Sequence, residues 1–180
     1  KELTIPANED GTHKLDKHSF HIWPRGKFMF IAMPNMDGSF TCTLFLPFEG
    51  EVSFENINSK EEAKDFFNTY FPDVTPVIED LTTDFFNNPT SALVTIKCYP
   101  WTYWDKVALV GDSAHAIVPF YGQGMNAGFE DIYALNKIIA KYGDDWGQIF
   151  STYQTERKPN ADAIAELSYR NFVEMSSMTA

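Results

Sequence analysis

The stretch from Lys106 to Asp131, KVALVGDSAHAIVPFYGQGMNAGFED, restricts the fold more than any other part of the chain. It opens on a short apolar run, Val107, Ala108, Leu109 and Val110, with the composition of a buried strand. Gly111 and Asp112 end that run with a residue that tolerates close backbone approach and a carboxylate aimed outward. A polar loop containing Pro119 follows, and Gly122, Gln123 and Gly124 stand just before a long helical pattern. Glycines there let backbone N–H groups approach a ligand. The helix start adds partial positive charge, which favours an anionic or electron-rich group. A strand-end carboxylate facing such a helix start has the form of a dinucleotide clamp, with Asp112 accepting from a sugar or polyol hydroxyl. Gly and Asp in such a corner also serve simply to make turns, and short glycine motifs recur by chance.

The bulk properties narrow the classes. At 180 residues and 44% apolar, the chain can bury a core as one large domain or two small ones. Its aromatic load (16 Phe, 8 Tyr, 4 Trp) suits a wide apolar cavity as well as an ordinary core. A net charge of −11 opposes binding to nucleic acid or to anionic membrane surfaces, and no basic cluster reverses it. Cys42 and Cys98 both lie in strand-like runs and read as structural thiols, with no disulfide framework. His13, His18, His21 and His115 form no metal-ligand spacing, so no metal is expected. No apolar run approaches the ~18 residues of a membrane span, and no signal peptide opens the chain.

In chain order, residues 1–17 read as a loop or an edge segment. Ser19–Trp23, Phe28–Met33 and Phe40–Leu46 read as strands of an antiparallel meander, joined by turns at Pro24–Lys27 and Asn35–Gly38. Ile22, Met29, Ile31 and Leu44 fit the packing of a core. Ser59 to Glu62 is a capping-box signature, with Ala63, Phe66, Phe67 and Tyr70 at helical spacing before Pro72 stops the helix. A second helix is expected from Thr75–Pro76, carrying Val77, Ile78, Leu81 and Phe85. Leu93–Tyr99 alternates like another strand, and Pro100 to Trp104 is an aromatic turn in which Trp101 and Trp104 either line a ligand site or, the reading preferred, pack over the strand edge. After Gly124 the pattern puts Phe129, Ile132, Leu135, Ile139 and Tyr142 on an inward face. A short helix over Trp146–Glu156, burying Trp146, Ile149, Phe150 and Tyr153, is expected to break at Arg157-Lys158-Pro159. Pro159 then starts a last helix with Ala161, Ile164, Ala165, Leu167, Phe172 and Met175 inward. Asn171 and Met175, four residues apart, share a face of that helix, where the amide serves either as a satisfied buried group or as a ligand contact. The fold class is α+β: 1–100 an antiparallel sheet with covering helices, 101–143 the strand–loop–helix of a nucleotide-binding domain, and 144–180 C-terminal helices.

The full string GDSAHAIVPFYGQGMNAGFED resembles the second flavin-binding motif of the single-component FAD-dependent aromatic hydroxylases, of the para-hydroxybenzoate hydroxylase type. HIWPRGKFMFIAMPNMDGSFTCTLFLPFEG (His21 to Gly50) and YQTERKPNADAIAELSYRNFVEM (Tyr153 to Met175) resemble the branch of that family that acts on L-kynurenine. Nearly the whole chain is covered.

That resemblance implies an α/β flavoprotein fold whose sheet walls an aromatic substrate pocket. It implies NADPH as the reductant of FAD, addition of O2 at the flavin C4a carbon, and transfer of a hydroxyl to the ring of L-kynurenine to give 3-hydroxykynurenine. The flavin performs the hard step, so no catalytic side chain is expected, and no Ser/His/Asp or Cys/His arrangement stands out. The resemblance implies that Gly111 and Asp112 bind the ribitol chain. Gly124, Met125 and Asn126 face the pyrimidine side of the flavin. Pro119, Phe120, Tyr121, Gly122 and Gln123 form the loop between flavin and substrate. Asn171 holds the amino-acid head of the substrate, with Met175 against its ring. His115 reads as structural.

The chain has no G-x-G-x-x-G after an N-terminal strand and begins at Lys1 rather than Met, so it is expected to be the C-terminal part of a longer protein. The family's Arg and Tyr that grip the substrate carboxylate would lie upstream, in the N-terminal remainder of the same protein. A related hydroxylase acting on another aromatic acid and a non-catalytic fragment or interaction domain are the other readings. Expected locations are a bacterial cytoplasm or a mitochondrial outer membrane, not secretion, with any membrane anchor outside this chain.

Overall fold

The computed structural model describes residues 1–177. They form two units: one made of Lys1–Ser91 together with the residues from Glu174 onward, the other of Ala92–Val173.

The first unit is built on four antiparallel strands, β1 (Glu2–Ile5), β2 (His21–Pro24), β3 (Met29–Pro34) and β4 (Phe40–Phe45), in the order β1-β4-β3-β2. The expected meander is β2–β3–β4, and the N-terminal segment adds an edge strand to it, pairing Leu3 with Cys42. In the β3–β4 turn, Asp37 Oδ1 accepts from the Ser39 N–H at 3.0 Å and from the Ser39 hydroxyl at 2.6 Å. Gly38 there has φ +90°, and a Cβ on it would lie 2.4 Å from the Gly11 carbonyl oxygen, so no other residue fits.

Alternation sorts the sheet into two faces. Leu3, Ile5, Phe30, Ala32, Phe40, Cys42 and Leu44 point into the core. Ile22, Met29 and Ile31, expected to pack with Leu44, lie on the other face, where Ile22 pairs with Ile31 and Pro24 with Met29. The core face is covered by α1 (Lys60–Tyr70) and α2 (Leu81–Asn87). Phe30 meets Phe67 edge-on at 5.7 Å and Phe71 at 5.6 Å. Burial pushes the Cys42 thiol up to about 12, so it is an inert packing group.

The capping box forms as expected: the Ser59 hydroxyl accepts from the Glu62 N–H, and the Glu62 carboxylate accepts from the Ser59 N–H at 3.0 Å. The second helix starts later than expected. Thr75–Val77 makes only one 3-10 turn, Ile78 is extended and buried, and α2 begins at Leu81.

The second unit contains a two-stranded hairpin, β5 (Thr102–Tyr103) with β6 (Val107–Ala108), then α3 (Asp112–His115), a 3-10 turn at Pro119–Tyr121, α4 (Gly124–Tyr142) and α5 (Trp146–Ser176). Trp101, Ala114, Ile138, Ile149, Phe150, Tyr153 and Ala161 form its core.

Several expectations are corrected here. Leu93–Tyr99 is not a strand: it has no ladder partner among the described residues, and Leu93 and Val94 are exposed. The run from Val107 is not a buried strand either, since it has a single two-residue neighbour and Val107 is 52% exposed. The buried positions of α4 are Ala127, Asp131 and Ile138, while Phe129 and Ile132 are exposed. Trp146 and Leu167 are also exposed, and Ser168 is buried instead.

The break at Pro159 does not occur; α5 runs through it without interruption. Tyr153, Arg157, Ala161 and Ala165 form one buried stripe across the proline, which itself is exposed. Packing and the ion pairs of Arg157 outweigh the lost N–H. Among the described residues no helix is long and apolar enough to cross a membrane.

Candidate functional site

The site is a corner of the second unit where the hairpin, α3 and the start of α4 converge. The chain leaves β6 through Leu109, whose N–H donates to the Trp101 carbonyl at 2.8 Å and whose carbonyl accepts from the Tyr153 hydroxyl at 3.3 Å. Gly111 then takes φ +60°, ψ −139°, a conformation open essentially to glycine. Asp112 is the first residue of α3, and its exposed carboxylate has no partner among the described residues. Gly128 of α4 lies against this turn: a Cβ on it would be 3.8 Å from the Gly111 Cα.

The loop between α3 and α4 turns through Pro119, Phe120 and Tyr121, then Gly122 in the left-handed region. Phe120 is buried against Phe172, ring centroids 4.6 Å apart, and its carbonyl accepts from Asn171 Nδ2. Gln123 is the N-cap of α4 but gives no side-chain cap; its amide oxygen accepts from Asn126 Nδ2 at 3.0 Å instead. The first helical bond runs from the Ala127 N–H to the Gln123 carbonyl at 2.8 Å. The N–H groups of Gly124, Met125 and Asn126 therefore precede the ladder with no capping side chain, at the positive end of a 19-residue helix.

Beneath the corner lies a cluster that local pattern does not reveal. Asp131, fully buried on α4, accepts from the Gly111 N–H at 3.0 Å, from His115 Nε2–H at 2.5 Å and from Arg157 Nε–H at 2.8 Å. Arg157 Nη1 also pairs with Glu130 at 2.9 Å. Burial pushes the Asp131 carboxyl up, but its hydrogen bonds from His115, Arg157 and Gly111 outweigh that and hold it down at about 2. The hydrogen bond to Asp131 raises His115 above its ordinary value, against the burial that lowers it. Burial first, with Asp131 nearby, raises the Tyr153 phenol. The one sequence signal for this cluster is that Asp131 follows Ala127 by four and precedes Ile138 by seven, on the face that turns inward.

Of the residues singled out from sequence, Gly111, Asp112, Pro119, Phe120, Tyr121, Gly122, Gln123, Gly124, Met125, Asn126 and Asn171 all belong to the second unit. Met175, in the last turn of α5, belongs to the first. Among the described residues no group of three His, Cys, Asp or Glu side chains is placed to hold a metal.

Residues 89–168 match the FAD binding domain family. The fold is that of solved flavoenzymes: a tetrameric 2-methyl-3-hydroxypyridine-5-carboxylic acid oxygenase at TM-score 0.72 and 20% identity, over 99% of this chain and 48% of that one. Klebsiella pneumoniae HpxO, solved with FAD and uric acid, aligns at TM-score 0.70 and 16% identity, over 98% and 44%. The chain has the fold of the FAD-dependent aromatic hydroxylases, with a FAD binding domain match over residues 89–168.

Within them it is similar to kynurenine 3-monooxygenases from end to end. It is 72% identical to that of Christiangramia forsetii and 70% identical to that of Flavobacterium johnsoniae, over all 180 residues. It is 51% identical to that of Dictyostelium discoideum over 97% of the chain. The chain spans about 40% of the length of these relatives. The corner fits FAD: an uncapped helix start offers donors to an electron-rich edge, and the free Asp112 carboxylate offers an acceptor to hydroxyls.

Proposed function

We propose that this chain belongs to a hydroxylase, of the relatives' length, that converts L-kynurenine to 3-hydroxykynurenine with NADPH and O2, in tryptophan degradation. The observation that carries the reading is the Gly111–Asp112 turn set against the uncapped start of α4, in a chain 72% identical to a kynurenine 3-monooxygenase. FAD, when bound, supplies the transfer of electrons from NADPH and the activation of O2.

The chain's residues bind and orient. Asp112 accepts from the polyol hydroxyls, beside Gly111. The N–H groups of Gly124, Met125 and Asn126 favour negative charge on the pyrimidine side. Pro119, Phe120, Tyr121, Gly122 and Gln123 wall the substrate side and keep water out. Asn171 and Met175 contact the substrate. Residues 1–100 form the substrate-side domain, 101–143 carry the flavin contacts, and 144–180 supply supporting helices. The N-terminal remainder of the protein supplies the rest of the cofactor and substrate site, so the 180 residues alone form no product. The location is a bacterial cytoplasm or, in a eukaryote, the mitochondrial outer membrane.

The test uses the full-length protein, reading its flavin absorbance between 350 and 500 nm and its NADPH oxidation. L-kynurenine should stimulate oxidation and yield 3-hydroxykynurenine. Flavin absorbance with stimulation only by another aromatic acid would assign a different substrate. A protein without flavin would leave only the reading as an interaction domain.

A further inference from the structure

The geometry points to Asp131 as the positioning residue that fixes the Gly111–Asp112 turn for the cofactor, acting through one carboxylate oxygen. The inference rests on the FAD reading above.

Asp131 Oδ2 accepts from the Gly111 N–H at 3.0 Å and from His115 Nε2–H at 2.5 Å. Gly111 immediately precedes α3 and His115 is its last residue, so a single oxygen holds both ends of a four-residue helix. One turn of helix is marginal by itself, because fixing its dihedrals costs more than its one or two hydrogen bonds return. Gly111 is also the residue whose peptide plane sets where the Asp112 side chain leaves the backbone. The second oxygen, Oδ1, accepts from Arg157 Nε–H at 2.8 Å, which ties the turn to α5. Arg157 is held in turn by Glu130 at 2.9 Å.

Burial alone does not account for a carboxylate here. Buried ion pairs can often be replaced by well-packed apolar residues at no cost in stability. An apolar residue at this position would leave the Gly111 N–H without its acceptor and His115 and Arg157 facing each other. Two buried side chains, His115 and Arg157, each 4% exposed, and the Gly111 N–H converge on Asp131, which thereby restrains the neighbour of the cofactor contact.

The test is FAD binding by the full-length protein, measured by quenching of flavin fluorescence on titrating the apoprotein. It is read together with the visible circular dichroism of the bound flavin and the thermal midpoint. Asp131→Asn keeps the shape but replaces one acceptor oxygen with a donor, so it cannot satisfy all three donors. It should weaken FAD binding by roughly tenfold to a hundredfold and alter the flavin dichroism. His115→Ala should do the same, and His115→Gln, whose amide can reach the place of Nε2, should stay within about threefold of the unmodified protein.

A lowered thermal midpoint with unchanged FAD affinity and dichroism in both D131N and H115A would overturn the inference and leave the FAD reading intact. If D131N does not fold, the H115A and H115Q pair decides by the same criteria. If the unmodified protein binds no FAD, the functional reading fails, and this inference with it.

Discussion

Gly111 and Gly128 face each other where the chain turns out of β6 and α4 passes behind: a Cβ on Gly128 would sit 3.8 Å from the Gly111 Cα, and one on Gly111 3.9 Å from the Gly128 Cα. Both distances are ordinary contact, so space does not forbid a methyl at either position. Conformation does at one. Gly111 has φ +60°, ψ −139°, whereas Gly128 is an interior residue of α4. Gly111→Ala should destabilise the protein by about 1–3 kcal/mol. Gly128→Ala should be neutral or stabilise by up to about 1 kcal/mol through helix propensity. Urea unfolding should show a clear loss of stability for Gly111→Ala and none for Gly128→Ala.

The Asp131 cluster makes acid stability legible. Its carboxyl lies at about 2 in the folded protein against an ordinary 3.8. A depressed value contributes stability that is full above about pH 4 and lost as pH falls towards 2. For this one group that is about 2 kcal/mol. His115 has the opposite sign: its raised value contributes below pH 6.5, and that contribution is lost as pH rises through the folded value. Unfolding free energies measured from pH 2 to 6 should fall less steeply for Asp131→Asn than for the unmodified protein. Parallel curves would assign the acid sensitivity to other carboxylates.

In the first unit, Ser59→Ala should cost about 1 kcal/mol, because it strips the cap from α1, whose Phe66 and Phe67 pack the core. Ser59→Asp should restore most of it, since a carboxylate can accept from the same N–H. Denaturant midpoints at constant slope would measure both.

Asn171 donates to the Phe120 carbonyl and so anchors the loop assigned to the substrate side. Asn171→Ala removes that donor while leaving the ring contact of Phe120 with Phe172. In the full-length protein, KM for L-kynurenine should rise by up to about tenfold with FAD affinity unchanged. Asn171→Asp, which sets an acceptor against a carbonyl, should do worse. Steady-state NADPH oxidation checks both.

Features written within a few residues were legible in the sequence. The capping box at Ser59, the tight turns at Gly26 and Gly38, the meander of β2, β3 and β4, and the glycine-flanked start of α4 all formed as their local chemistry required. The strand expected over Leu93–Tyr99 has no ladder neighbour among the described residues, and no alternation can supply one.

The sequence by itself determined the local pieces: where the chain turns, where α1 and α4 begin, and the strand–glycine–helix corner with Asp112 at its tip. Each depends on a side chain meeting backbone about four residues away or less, so the spacing is visible in one dimension. Only the tertiary structure decided which face of α4 is buried and that α5 continues through Pro159. Both follow from Asp131 meeting His115, 16 residues away, and Arg157, 26 residues away. A buried carboxylate is stable only where its partners converge, and that convergence exists once the helices have packed.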